Sequence, residues 1–526
     1  MSRVYGEWVH VISAKVKPAT RKHERAYSAN RVFALHEYCA SVSIWRVLSI
    51  LVLYSAPGLT LVLIFDAIPL QDPREGWRAN VTFWIRQGVS TFFICAGVLL
   101  QSTLAIQDFS LTAGQISMIS LGVGIGCVVT VMLIAALWMF PLPFTQAFAG
   151  VPLFIFLNTL VSITLGLSNK ELLAKFVDYM KILNVQAMMM VMYPVYTAAF
   201  LVLDEVGKLA FVLLLRPLLK KFLKYVSTKV SATDDDLVAS CSSSVNIFHA
   251  VYMSKCMQSA GTLKVSLAII AVDIVQNVWA IRRLAKHAEA VREVCRGGGV
   301  TVQMHDSQTL LPFVFQLVHK SNHLSPSTLR LGSLNFAVSN KVSQELRRLD
   351  AMIVQEATIQ VFPSEQLFRT SVAPSLAPQL VERTQEEAII REAVVLLYAS
   401  ETIAMVEYTE AVVPIIYAVY ISILFQLPNA RYCQDMDGFT AEKLRAVVTN
   451  ILAYGSMELL SLLYMERKIR QQFGVSACYQ LAFALENEWK FYQTQFFIWT
   501  LVVFEFSLAH TGVDFSFQFK WNSNEH

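Results

Sequence analysis

Apolar residues in this chain come in long uninterrupted runs, not at the alternating or three-to-four spacing of elements with one wet face. The quietest stretch runs from Phe109 to Asn169 and contains no Asp, Glu, Lys, Arg or His. A helix needs about 20 apolar residues to cross about 30 Å of hydrocarbon, so as one helix this stretch would be about three bilayers long. Pro141 and Pro143 divide it, because proline ends or bends helices. The pattern predicts helices over 116–140 and 144–167 joined by a tight turn. Similar runs predict spans over 47–65, 88–106, 185–203, 263–281, 411–427, 447–464 and 492–509. Two further spans are weaker. Residues 206–219 are few and carry Lys208 and Arg216 near their ends, where long cations can snorkel. Residues 242–260 are polar and include His249 and Lys255. With both counted there are about eleven spans, within a range of about nine to twelve.

Composition turns this pattern into a class. The 526 residues are 55% apolar and 16% charged, with a mean hydropathy of +0.48. A water-soluble domain carries about 25% charged residues. An ordinary soluble enzyme, a disordered chain and a collagen-like chain are thereby excluded. The expected fold class is all-α, a polytopic integral membrane helix bundle with a cytoplasmic insertion and the lipid bilayer as its partner. The net charge of +4 is small, and no basic stripe interleaved with aromatics implies nucleic acid. Eight scattered cysteines form no CxxC pair, which speaks against a disulfide framework or zinc site. The N-terminal residues lack the short apolar core and cleavage site of a secretory signal, so the first span is expected to direct insertion.

Charge placement threads the spans. Lys and Arg collect on cytoplasmic loops. Residues 1–46 hold Arg3, Lys15, Lys17, Arg21, Lys22, Arg25, Arg31 and Arg46, and form an expected cytoplasmic region with an amphipathic helix. With both weak spans retained, Lys220-Lys221, Arg282-Arg283 and Arg467-Lys468 fall on the same side. The expected organisation is a first bundle over 47–283, a cytoplasmic loop over 284–388, a second bundle over 389–511 and a non-cytoplasmic tail over 512–526. Within the loop, Val342, Leu346, Leu349 and Ile353 share one helical face, as in an amphipathic helix. Residues 384–410 are too charged for an easy span. They read either as a long helix leading into 411–427, with Pro414 as a kink, or as a tilted span with its acids facing protein or water.

Candidate chemistry lies where polar groups are expensive. Asp273, Gln276 and Asn277, at spacings of three and four, lie on one helical face, with Asp273 near the middle of its span. They fit a proton or cation site, and equally interhelical hydrogen bonds that fix packing. Glu458 is mid-span and Glu505 lies nearer an end. Three acids within spans make a polar path conceivable, although spacing alone does not bring them together. Glu407 and Glu410 share a face before Pro414, as a carboxylate pair able to hold a cation or share a proton. They are expected instead to form a solvated helix end. Gly122 and Gly126 form a small-xxx-small face for close helix packing. Asn80-Val81-Thr82 is a glycosylation sequon close to the next span, read as a chance tripeptide. His319 and His323 stand four apart without a third ligand in register and read as a surface pair. No catalytic or cofactor motif is found, so no enzyme activity, cofactor or metal is expected.

Several segments resemble a large group of uncharacterised multi-pass membrane proteins expanded in oomycetes. They are Tyr27-Ser28 to Arg31, Ala34-Leu35, Tyr38-Cys39 and Arg46-Val47 near the start, then FVLLL at 211–215 and CMQSAG at 256–261. In the second half they are VEYTEAVVPIIYAVYISILFQLP at 406–428, VTNILAY at 448–454, YQLAFALE at 479–486 and GVDFSFQFKW at 512–521. The match omits the cytoplasmic loop. Met253-Ser254-Lys255 departs from the group's apolar tendency at those positions. The resemblance implies both weak spans but transfers no chemistry. Two functions follow from the sequence: a transporter or channel with a path lined by Asp273, Glu458 and Glu505, or a receptor or scaffold acting through the 284–388 loop.

Overall fold

The computed structural model describes residues 29–106, 109–166, 169–204, short pieces between 207 and 226, 235–259, 263–296, residues 309, 312 and 313, then 376–436, 438–505 and 507–513. In chain order the helices are α1 (Ala29–Ser41), α2 (Ile44–Leu53), α3 (Ala56–Ala67), α4 (Val81–Ala105), α5 (Ala113–Leu137), α6 (Thr145–Leu165), α7 (Lys170–Val202), α8 (Asp235–Ser259), α9 (Leu263–Arg296), α10 (Leu376–Leu424), α11 (Ala441–Phe473), α12 (Ala477–Asn487) and α13 (Trp489–Glu505). The described residues form no strand beyond one isolated bridge between Cys433 and Leu508. The fold is all-helical.

Among the described residues, six helical stretches are long and apolar enough to cross a membrane: Ile44–Ala67, Val81–Ala105, Ala113–Leu137, Phe148–Leu165, Val395–Leu424 and Ala441–Phe473. The split at Pro141 and Pro143 falls between α5 and α6, as the proline rule requires. Along α5, Met118, Leu121, Ile125, Val129 and Leu133 form one exposed face, each about half exposed or more. A helix in water buries such a stripe, and a helix in lipid presents it outward. The other expected spans fare differently. Residues 185–202 lie within α7 and 263–281 within α9, residues 206–219 are largely outside the described residues, and α13 has 17 residues. The described part of the polar 242–260 stretch, residues 242–259, is the last part of α8. There Val245, Asn246, Ile247, Phe248, His249, Ala250 and Val251 are all buried, so protein surrounds it on every side.

The chain forms two compact units, each built from separated segments: Met1–Leu48, Gln276–Met405 and Leu462–Asn487 make one, and Ser49–Val275, Val406–Ser461 and Glu488–His526 the other. In the first unit, α1 packs on α12. Buried Arg31 pairs with Glu401 and lies 5.5 Å above the Phe483 ring. The Tyr38 hydroxyl donates to Glu486 at 2.8 Å. Gln480 ties α12 to α10 by donating to the Leu397 carbonyl at 2.8 Å. The expected amphipathic helix over 342–353 and the pair His319 and His323 lie outside the described residues.

In the second unit, α4, α5, α6 and α7 enclose an apolar core including Leu99, Val123, Leu157 and Phe176. Glycine sets the helix spacing. A Cβ on Gly122 would stand 2.8 Å from Leu160, and one on Gly126 2.9 Å from the Phe156 ring, both on α6. Gly124 faces α4 instead, where a Cβ would stand 3.0 Å from the Gly88 carbonyl oxygen. The small residues of α5 therefore serve two neighbours. Helix α13 packs against α3, α4 and α8, with Trp499 edge-on to Phe248 at 4.6 Å.

Candidate functional site

Polar chemistry in the second unit gathers at two places. The first is the middle of α11, where Tyr454, Glu458 and Ser461 follow at spacings of four and three and share a face. The Tyr454 hydroxyl donates to Asp273 Oδ2 of α9 at 3.0 Å. Ser461 Oγ donates to Glu407 Oε2 of α10 at 2.7 Å. Glu458 stands one turn from each donor. Glu410 lies one turn beyond Glu407. All four acids are buried, with Asp273 4%, Glu407 2%, Glu410 3% and Glu458 2% exposed. Glu407 and Glu410 sit at the centre of the Val395–Leu424 stretch, and Glu458 at the centre of Ala441–Phe473.

Local backbone features allow this approach. Gly455 lets α11 come against α10, since a Cβ there would stand 3.2 Å from Ile415 and 3.4 Å from Pro414. Pro414 lies within α10 and has no N–H to give the carbonyl four residues back, which belongs to Glu410. The helical ladder is thus open beside the acids.

This arrangement corrects two expectations. Glu407 and Glu410 are not a solvated helix end: α10 runs unbroken from Leu376 to Leu424 and buries both in protein. The triplet on α9 also divides. Asp273 and Asn277 are buried, whereas Gln276 is exposed beside exposed Ile274 and Val275. At about 100° per residue, positions 273 and 277 stand about 40° apart, while 276 lies about 60° from 273 and about 100° from 277, at the flank of the buried pair.

The second place is where α3 ends and α4 begins, and it contains the third acid. Arg86 donates through Nη2 to Asp66 Oδ1 at 2.8 Å, through Nε to Glu505 Oε1 at 3.1 Å and through Nη1 to the Phe65 carbonyl at 3.1 Å. Ser90 Oγ donates to Glu505 Oε1 at 2.9 Å, and the Tyr420 hydroxyl to Asp66 Oδ2 at 2.9 Å. Glu505 thus belongs to an ion cluster of its own. Sequence reasoning missed Asp66 and Arg86, because both sit at the margins of apolar runs where a charge ordinarily reaches water.

Around this cluster the connecting loops are pinned by side-chain amides and one imidazole. Asn429 donates to the carbonyls of Asp66 and Ile68 at 2.8 and 2.7 Å. Wholly buried Asn80 donates to the carbonyls of Asp72 and Gly76 at 3.1 and 2.9 Å. The nitrogen that a glycan would need is therefore occupied and enclosed. His510 Nε2 lies 2.8 Å from the Gln71 carbonyl and 3.0 Å from Asn80 Oδ1. Both are acceptors, so the proton is assigned to Nε2. The ring stacks on Phe83 at 5.3 Å and meets Tyr432 edge-on at 5.1 Å. Burial pushes His510 down to about 4, so it is neutral at physiological pH. Nearby, Lys255 Nζ donates to Ser507 Oγ at 3.0 Å, and the Phe144 N–H donates to the Gly512 carbonyl at 2.9 Å.

Several apolar helices of spanning length, with an outward apolar stripe and inward acids, suggest a membrane protein. No protein-family model, curated protein or solved structure matches the chain.

Proposed function

We propose that this protein is a transporter or channel that moves protons or cations past the buried acids of α9, α10 and α11. One observation carries the reading: Asp273, Glu407, Glu410 and Glu458 are all buried, with Tyr454 of α11 bonded to Asp273 and Ser461 of α11 bonded to Glu407 on either side of Glu458. Carboxylates at that depth cost several kcal/mol and mark ion or proton pathways in membrane proteins. The threading that goes with it has about eleven spans, a cytoplasmic N-terminal region and a cytoplasmic insertion over 284–388, supported by the side on which the basic clusters fall. The oomycete resemblance is consistent with such a threading and adds no substrate.

The test is ion flux. The purified chain is reconstituted in liposomes loaded with a pH-sensitive dye, and flux is driven by a potassium diffusion potential or an applied cation gradient. The expected result is flux above empty liposomes that falls at least tenfold in Glu458→Gln and Glu407→Gln. Flux equal to empty liposomes for every ion tried, from protein shown to be folded, would refute the proposal.

A further inference from the structure

The cluster around Arg86 has a charge count that the mid-span acids do not explain. Arg86, Asp66 and Glu505 are 5%, 1% and 4% exposed. One guanidinium faces two carboxyl groups, so full ionisation leaves one negative charge in excess. An unbalanced charge buried in protein costs several kcal/mol. Two carboxyl groups that share a site relieve this by holding a proton.

The hydrogen bonds distinguish the two acids. Asp66 receives a donor on each oxygen: Arg86 Nη2 on Oδ1 and the Tyr420 hydroxyl on Oδ2. That is the environment of a carboxylate. Glu505 receives both its donors, Arg86 Nε and Ser90 Oγ, on Oε1. No donor among the described residues reaches Oε2. The other ionisable groups near the cluster are His510, Cys433 beside Tyr420, and Lys255, whose ammonium donates to Ser507 Oγ at 3.0 Å. We infer that the triad is a proton-binding site, with the proton on Glu505 Oε2 and Asp66 kept as the charged partner of Arg86. Binding converts the Glu505 carboxylate and one proton into a neutral acid; no other bond is made or broken.

The site lies outside the mid-span cluster, and its test is independent of ion flux. Infrared spectra of the full chain in detergent are recorded at neutral pH for the wild type, Glu505→Gln and Asp66→Asn. The wild type is expected to show a protonated-carboxyl C=O band that Glu505→Gln lacks. Asp66→Asn is expected to lose the same band, because Arg86 then balances an ionised Glu505. A group that merely accepts hydrogen bonds leaves only carboxylate bands in the wild-type-minus-Glu505→Gln difference, and that result overturns the inference. Persistence of the acid band in Asp66→Asn overturns it as well, and that variant carries the test should Glu505→Gln not fold. Loss of flux in Glu458→Gln alongside a missing Glu505 band would sink this site alone.

Discussion

Acidification should loosen the loop network through His510, with a sign and size that follow from its surroundings. The imidazole is wholly buried, gives its Nε2 proton to the Gln71 carbonyl and Asn80 Oδ1, and leaves Nδ1 without a partner among the described residues. A second proton would create a buried cation at Nδ1 with no acceptor, near Arg86, which also opposes it. The folded-state value of about 4 lies below the ordinary 6.5, so the unfolded chain takes up the proton first as pH falls. His510 therefore contributes fully above pH 6.5, and its contribution is lost as pH falls toward 4. The difference corresponds to about 3 kcal/mol, at about 1.4 kcal/mol for each tenfold change in proton affinity. His510→Gln tests this, since its amide can still donate toward Gln71 and Asn80 but does not titrate in this range. Thermal unfolding in detergent, followed by tryptophan fluorescence between pH 7.5 and 4, should show the wild type losing more stability than the variant. The separation should open below pH 6.5. Parallel curves for the two proteins would refute the assignment of a neutral, strained-on-protonation imidazole.

Three further outcomes follow from the same packing. Arg86→Gln removes the partner of two buried carboxyl groups and should cost about 3–5 kcal/mol, well above Glu505→Gln, read as the relative loss of monodisperse protein on heating in detergent. Equal losses would show that the guanidinium does not organise the cluster. Gly124→Ala presses a methyl against the Gly88 carbonyl and should destabilise by about 1–3 kcal/mol, while Gly122→Ala meets only the end of the Leu160 side chain and should cost much less; the comparison fails if the order reverses. Asn80→Gln should leave gel mobility before and after glycosidase treatment unchanged, yet lower stability by about 1–3 kcal/mol through the carbonyls of Asp72 and Gly76 that it abandons. A glycosidase-sensitive shift in the wild type would contradict the enclosed geometry.

What the sequence revealed and what it concealed divide along a physical line. Lipid leaves helix formation as the way for a long apolar run to satisfy its backbone, so α4, α5 and α6 could be read almost directly, and the two prolines told where one run became two helices. Hydropathy has no such hold on a helix wrapped in protein. In α8, the polar residues Asn246 and His249 are buried inside protein, so the stretch reads as a poor span. The same blindness explains Glu407 and Glu410. A charged run resembles a wet helix end until α11 places Ser461 against Glu407 and Gly455 against Pro414, contacts between residues dozens of positions apart in the chain. Asp273 and Glu458 were visible individually because each interrupts an apolar run, but that α11 meets Asp273 one turn from Glu458 depends on Tyr454, a residue with nothing unusual about it in a membrane helix. Arg86 and Asp66 were concealed by position. A charge at the margin of a run is cheap if it reaches water and costly if a loop closes over it, and the loops that close here are held by Asn80, Asn429 and His510, three polar residues whose partners are mostly backbone carbonyls. Backbone acceptors leave no trace in composition or spacing, so a site built on them becomes legible only after the chain has folded.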